Sequence, residues 1–229
     1  MGFQAPESLS EQIAQYIGRQ IILGQLKPLE RVQELKLARD LKVSRGSVRE
    51  ALLILQARHL VEIYPRRGAV VAGLCVHQAE SLFDIYINLV TMLVCRFAER
   101  WTSPDLEAVQ IPLQRLNRCL VDDAVSEEQV MEASFALIRS CYPVVANPYL
   151  EEALERLCPA ISRAYYLTLE LQCRDRAPAL RFYSRLLDRV RERNLEQVRE
   201  LIWDYGRYHL ELVLNVISEA GQGELAHEP

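Results

Sequence analysis

Apolar residues recur at spacings of three and four along nearly the whole chain, the pattern of amphipathic helices, with one short interruption. Leu9, Ile13, Tyr16, Ile17 and Ile21 share a face, which predicts a helix over 7–23 that stops at Gly24. Two shorter helical patterns follow. The first, over 32–41, presents Leu35, Leu37, Ala38 and Leu41; the second, over 44–58, presents Val48, Leu52 and Leu55 behind Ser44 as N-cap. Only Lys42 and Val43 separate them, the spacing of a helix-turn-helix. The interruption is β-like: 60–64 and 69–72 read as two short strands around Pro65-Arg66-Arg67-Gly68, a wing with a basic tip.

Beyond Gly73 the pattern is helical only, predicted over 77–101, 104–121, 127–142, 148–171, 177–193 and 195–219. Ser103-Pro104-Asp105 reads as an N-cap with proline in the first turn, Ser126 to Gln129 as a capping box, and Asn194 as the last cap. Pro112 and Pro159 predict kinks or breaks, and Gly221, Gly223 and Pro229 predict frayed last residues. The fold class is therefore mainly α: an N-terminal winged helix-turn-helix with a small β wing over 1–75, then an all-α bundle of six or seven helices over 76–229. Such a bundle is large enough to enclose a cavity.

Composition adds a division of charge. The 229 residues are half hydrophobic and a quarter charged with net charge −4, as in soluble globular proteins. Residues 1–75 hold 11 Lys+Arg and 7 Asp+Glu, including all three lysines, Lys27, Lys36 and Lys42, whereas 76–229 hold 16 and 24. A basic head on an acidic body is suited to a polyanionic partner. No run of 18 apolar residues occurs, and Met1 to Pro6 is neither basic nor apolar, so the expectation is a cytoplasmic protein without membrane contact. Cys75, Cys95, Cys119, Cys141, Cys158 and Cys173 form no CxxC pair and are expected mostly as buried thiols.

The second helix of the pair carries the chemistry. With Ser44 as cap, its first turn exposes Arg45, Gly46, Ser47 and Arg49; two guanidinium forks suit phosphate oxygens or the guanine edge, and Gly46 permits close approach. Arg66, Arg67 and Gly68 at the wing tip suit the backbone or the minor groove. The run from Ala38 to Leu52, ARDLKVSRGSVREAL, with Leu60-Val61-Glu62 and the Arg66-Arg67-Gly68 turn, resembles the winged helix of GntR-family transcription regulators and their "LGVSRxxVREAL" motif. Glu34 sits where that family places a helix-capping acid, while Lys42 stands at a usual glycine and Gly46 at a usual threonine or proline. The resemblance implies that these exposed residues contact a palindromic double-stranded operator and that the chain acts as a homodimer.

The helical part resembles the effector domain of the family's FadR branch. Many members hold a divalent metal with an acid and three histidines; here the matching positions are Glu132, Ala136, Tyr183 and Tyr205, and a carboxylate with two phenols is a poor site, so no metal or other cofactor is expected. An Arg and a Glu of that subgroup correspond to Tyr86 and Val90. Ala146-Asn147-Pro148-Tyr149 is similar to "GNPIY", Leu180 to Leu186 to "LGFYHKL", and Asp204 to His209 to "RYGHES", motifs of the acyl-CoA-responsive regulators of the branch. The resemblance implies a hydrophobic effector, with fatty acyl-CoA as first candidate and fatty-acid metabolism as setting, held by Tyr86, Glu132, Tyr183, Tyr205, Gly206 and His209. A small organic acid is the alternative.

Each of these residues also has a structural reading. Gly206 within a helix suits close helix packing equally well, His209 suits an aromatic core, and Trp101 and Trp203 suit packing. Tyr165 and Tyr166 with Arg163, Arg174 and Arg176 could bracket a phosphorylated ligand, although such arginines more often line a solvated face. Against an enzyme, the chain shows no Ser-His-Asp order, glycine-rich phosphate loop or HExxH, and His59, His77, His209 and His227 are scattered. Against a bare interaction module, Arg45 and Arg49 are intact. The reading is a ligand-responsive, sequence-specific DNA-binding regulator, with repression as its expected mode.

Overall fold

A computed structural model describes residues 8–168 and 176–225, with the main chain alone for 220–225. The chain divides into two compact units: residues up to Leu74 together with Arg156–Arg163, and Cys75–Glu155 together with the described residues from Ala164 onward.

The first unit opens with α1 (Leu9–Ile22), capped by Ser8, whose hydroxyl accepts from the Glu11 N–H at 3.1 Å. α2 (Glu34–Asp40) and α3 (Arg45–Ala57) follow, then β1 (Val61–Tyr64) and β2 (Gly68–Val71), antiparallel with Tyr64 opposite Gly68. Ile13, Ile17 and Ile21 of α1 pack on Val48, Leu52 and Leu55 of α3, and Leu60, Val61, Ala69 and Val71 close the core. Two predicted details change. Val32 is spent on the wing, its N–H donating to Ala69 O at 2.9 Å while Arg31 bridges Val70, so α2 starts two residues later than its apolar pattern suggested. Leu35, predicted to face the core, is 53% exposed; Val32 takes that place.

The described residues from Cys75 onward are helical: α4 (Val76–Arg100), α5 (Ser103–Val121), α6 (Glu127–Arg139), the single turn α7 (Tyr142–Val145), α8 (Pro148–Leu167, of which Arg156–Arg163 count with the first unit), α9 (Ala177–Arg191) and α10 (Leu195–Leu225). α4 packs along α10, α5 on α6, and α9 against α4, α5 and α10. α4 is long and apolar enough to cross a membrane by length and composition, and half of that stretch is buried in this unit. Arg193 ties the C-terminus of α4 down, donating to Ala98 O at 3.0 Å and Trp101 O at 2.9 Å with its guanidinium 4.6 Å from the Trp101 ring centroid. Trp101 also donates from its indole N–H to Val190 O at 3.1 Å, more than the packing expected of it.

Several boundaries move. Thr102, not Ser103, caps α5, its N–H and hydroxyl both donating to Asp105 at 2.8 and 2.6 Å. The stretch predicted as one helix over 127–142 ends at Arg139, and Tyr142 begins α7. Neither Pro112 nor Pro159 breaks its helix. α10 runs on through Gly221 and Gly223 to Leu225, so the predicted fraying does not begin there. Ser126 and Asn194 cap as expected, Asn194 Oδ1 accepting from the Gln197 N–H at 3.1 Å. Cys95, Cys141 and Cys158 are buried thiols, Cys119 is half-buried and Cys75 is exposed; Cys173, Arg174 and His227 lie outside the described residues.

Candidate nucleic-acid interface and ligand cavity

The start of α3 is built from its own sequence. Ser44, in extended conformation, accepts from the Ser47 N–H at 3.0 Å, and the two hydroxyls lie 2.9 Å apart. Val48, Ala51, Leu52 and Leu55 take the inner face, which leaves Ser44, Arg45, Gly46 and Arg49 exposed and Ser47 partly so. A helix N-terminus with free N–H groups attracts phosphate, and arginine adds a fork beside it. Glu34 is not the cap of α2, where Gln33 stands; its carboxylate accepts from Arg49 Nε at 3.0 Å and orients that side chain. A Cβ added to Gly46 would meet nothing nearer than Ser44 Oγ at 3.6 Å, so the fold itself leaves room for one. Lys42 has φ 54°, in the left-handed region where glycine is favoured. At the wing tip Arg66 and Arg67 are exposed, with Arg66 at φ 66° and Gly68 at φ 78° turning the chain between strands.

In the second unit α4, α5, α6, α9 and α10 enclose a cavity of about 200 Å³. Tyr86, Tyr183, Tyr205, Gly206 and His209, all named from sequence, are brought together on its wall, as is Val90. Glu132 is not. It stands outside the wall that Met131, Ser134 and Phe135 of α6 join, 62% exposed in its side chain, and accepts from Arg139 at 3.1 Å. The 3.6-residue period places 131, 134, 135 and 138 inward and 132 outward, a distinction that alignment by motif overlooks.

The wall is aromatic. Phe182 stacks on Tyr205 with centroids 3.9 Å apart at 8°; Tyr205 meets His209 edge-on at 4.4 Å, and Tyr165 meets His209 at 4.8 Å. Burial raises the Tyr183 and Tyr205 phenols above their ordinary pKa and lowers His209 to about 4, so all three are neutral near pH 7. Neutral phenols, an alanine at 136 and a Glu132 engaged elsewhere do not fit a divalent metal, which asks for anionic or imidazole donors converging on one point.

Two residues on this wall were misjudged or missed. Arg176, expected on a solvated face, is 12% exposed and uses every donor: Nε and Nη2 to Glu127, Nη1 to Cys119 O at 2.9 Å and Asp122 O at 3.0 Å, and Nη2 also to Val125 O at 3.0 Å. Glu127, read only as the start of α6, is its counter-ion, equally shielded at 12% exposure. Tandem acids at a helix start gave no sign that one would turn inward. Arg163 is buried as well. Gly206 has a packing cause, since a Cβ there would lie 2.5 Å from Ile87 Cδ1 of α4.

A winged helix-turn-helix followed by a helical unit with an internal cavity defines a ligand-sensing type of transcription regulator. Residues 9–71 match the family described as "Bacterial regulatory proteins, gntR family" and residues 81–207 the FCD domain, so the chain belongs to the GntR family, in its FCD-bearing group, and is a DNA-binding transcription regulator rather than an enzyme. This group is consistent with the FadR branch. Among its relatives, the HTH-type transcriptional regulator YdhC of Bacillus subtilis (described as uncharacterized) is 21% identical over 88% of this chain and 89% of its own length. McbR, an HTH-type transcriptional regulator of Escherichia coli, is 28% identical over 66% of this chain and 67% of its own. The solved structure of E. coli McbR/YncC shares the fold, with TM-score 0.74 at 22% identity, covering 92% of this chain and 99% of that one.

Proposed function

We propose that this regulator binds a palindromic operator as a homodimer, placing α3 of each copy in the major groove, and that a small hydrophobic effector in the cavity of the helical unit releases it. The observation that carries the reading is the exposed first turn of α3, where Ser44 fixes the helix end and Arg45 and Arg49 stand beside it. Arg45 and Arg49 reach base edges or phosphates, Ser44 and Ser47 add hydroxyl contacts, Gly46 lets the duplex come close, and Arg66, Arg67 and Gly68 lie along the neighbouring backbone. The net acidity of residues 76–229 repels DNA from the other surface.

Tyr86, Tyr183, Tyr205 and His209 are the polar groups that orient the effector, with Gly206 part of the wall. The cavity measures about 200 Å³. Sites for drug-sized ligands span about 300–1,000 Å³, so a small effector fits better than an acyl-CoA. Linkage then requires that operator and effector weaken each other by the same factor. Release by effector makes the protein a repressor of genes it covers, acting in the cytoplasm where its operator lies.

Binding to genomic fragments at two salt concentrations tests the DNA half. The wild type gives selected sites and a steep salt slope, and Arg45→Ala with Arg49→Ala removes about 1–3 kcal/mol of discrimination per arginine and flattens the slope by about two units. Unchanged selectivity in that double variant refutes the reading.

A further inference from the structure

The cavity wall is mostly apolar and aromatic, with a few polar groups and no net charge to offer. Among the described residues of its wall the charged pair is Glu127 and Arg176, and each compensates the other. Arg176 has five N–H donors, and all five are consumed by Glu127 and three main-chain carbonyls, so a ligand anion gains no cation without breaking that set. The remaining polar equipment is phenol, hydroxyl and imidazole. Ser134 donates to Val130 O at 3.0 Å and shares a hydrogen bond with Tyr183. A buried carboxylate with neither a cation nor a metal pays a large desolvation penalty. A neutral group that both donates and accepts matches a phenol and a neutral imidazole, which do the same. The second feature is shape: Phe182, Tyr205, Tyr165 and His209 offer flat faces and edges within one small space.

On the reading that this cavity is the effector site, we infer that its ligand is a small, uncharged, planar aromatic molecule bearing one donor–acceptor group, such as an amide, a phenol or a lactam, and that organic acids of the same size are excluded. The ring packs among Tyr205, Phe182 and Tyr165, and the polar group is read by Tyr183 and His209.

The test is calorimetry on the full-length protein at pH 7.5 with cinnamamide and cinnamate, which match in size and shape and differ in charge. The expected result is cinnamamide binding at least tenfold more tightly than cinnamate, with a rise in Tm that cinnamate does not give. Two variants, Ser134→Leu and Ala179→Phe, fill the cavity from α6 and α9 and serve as controls for location, each checked for folding by circular dichroism. Loss of cinnamamide binding in either folded variant supports the inference. Cinnamate binding as tightly as cinnamamide, and lost in the variants, overturns the ligand class while leaving the cavity as the effector site. Binding that persists unchanged in both variants overturns the cavity reading itself. Failure of both probes to bind up to their solubility also overturns the ligand class.

Discussion

In the N-terminal unit Arg45, Arg66 and Arg67 stand in solvent, whereas in the helical unit Arg176 is packed at 12% exposure with every donor occupied. The side chain is the same and the consequence is opposite. An exposed guanidinium contributes little to folding and keeps its fork for a partner; a buried one is committed to the fold and is unavailable to any ligand. The contrast extends to the polar groups around them. Ser44 and Ser47 are arranged by three residues of local chain, while Tyr183 meets Tyr205 only because α9 and α10 pack together.

The sharpest break of this contrast is Arg176→Met, which strands Glu127 and three carbonyls: a loss of about 3–5 kcal/mol of stability is expected by urea denaturation. Glu127→Gln added to Arg176→Met recovers part of it, since the stranded charge is removed. Arg45→Ala, by comparison, leaves the urea midpoint in place.

Next in size is the pH response of His209. Its folded pKa of about 4 lies below the ordinary 6.5, so the unfolded chain takes up the proton first as pH falls. The stability contribution is whole above pH 6.5, declines from there toward pH 4, and amounts to about 3 kcal/mol when fully lost. His209→Phe removes this component, so its stability falls less over the same window than that of the wild type in parallel denaturation curves.

Gly206→Ala comes third. The new methyl would lie 2.5 Å from Ile87, an overpacking expected to cost about 1–3 kcal/mol, and Ile87→Ala in the same chain relieves it. A Tm unchanged by Gly206→Ala would return the glycine to a role in ligand approach. The smallest effect is a gain. Lys42 and Ala146 occupy left-handed backbone, φ 54° and 50°, at positions where the similar motifs carry glycine, so Lys42→Gly and Ala146→Gly each raise stability by up to about 1 kcal/mol.

Much of the first unit was legible because its determinants are local. Ser44, the apolar period of Val48, Leu52 and Leu55, and the Pro65 to Gly68 turn each act within a few residues, and the exposed face of α3 follows by subtraction. Val32 escaped because its N–H bonds to Ala69 O, far along the chain, next to the Arg31 bridge to Val70. In the helical unit, sequence alone determined that helices form, where Ser126 and Asn194 cap them, and that aromatic residues replace histidines at Tyr183 and Tyr205. Tertiary structure alone decided which of those residues share a wall. It turned Glu132 outward and Glu127 inward five residues apart on α6, paired Glu127 with an arginine 49 residues away, and set Ile87 against Gly206. Helical period and capping are properties of a few neighbouring residues, whereas burial and charge compensation depend on which helices meet, and no local pattern contains that information.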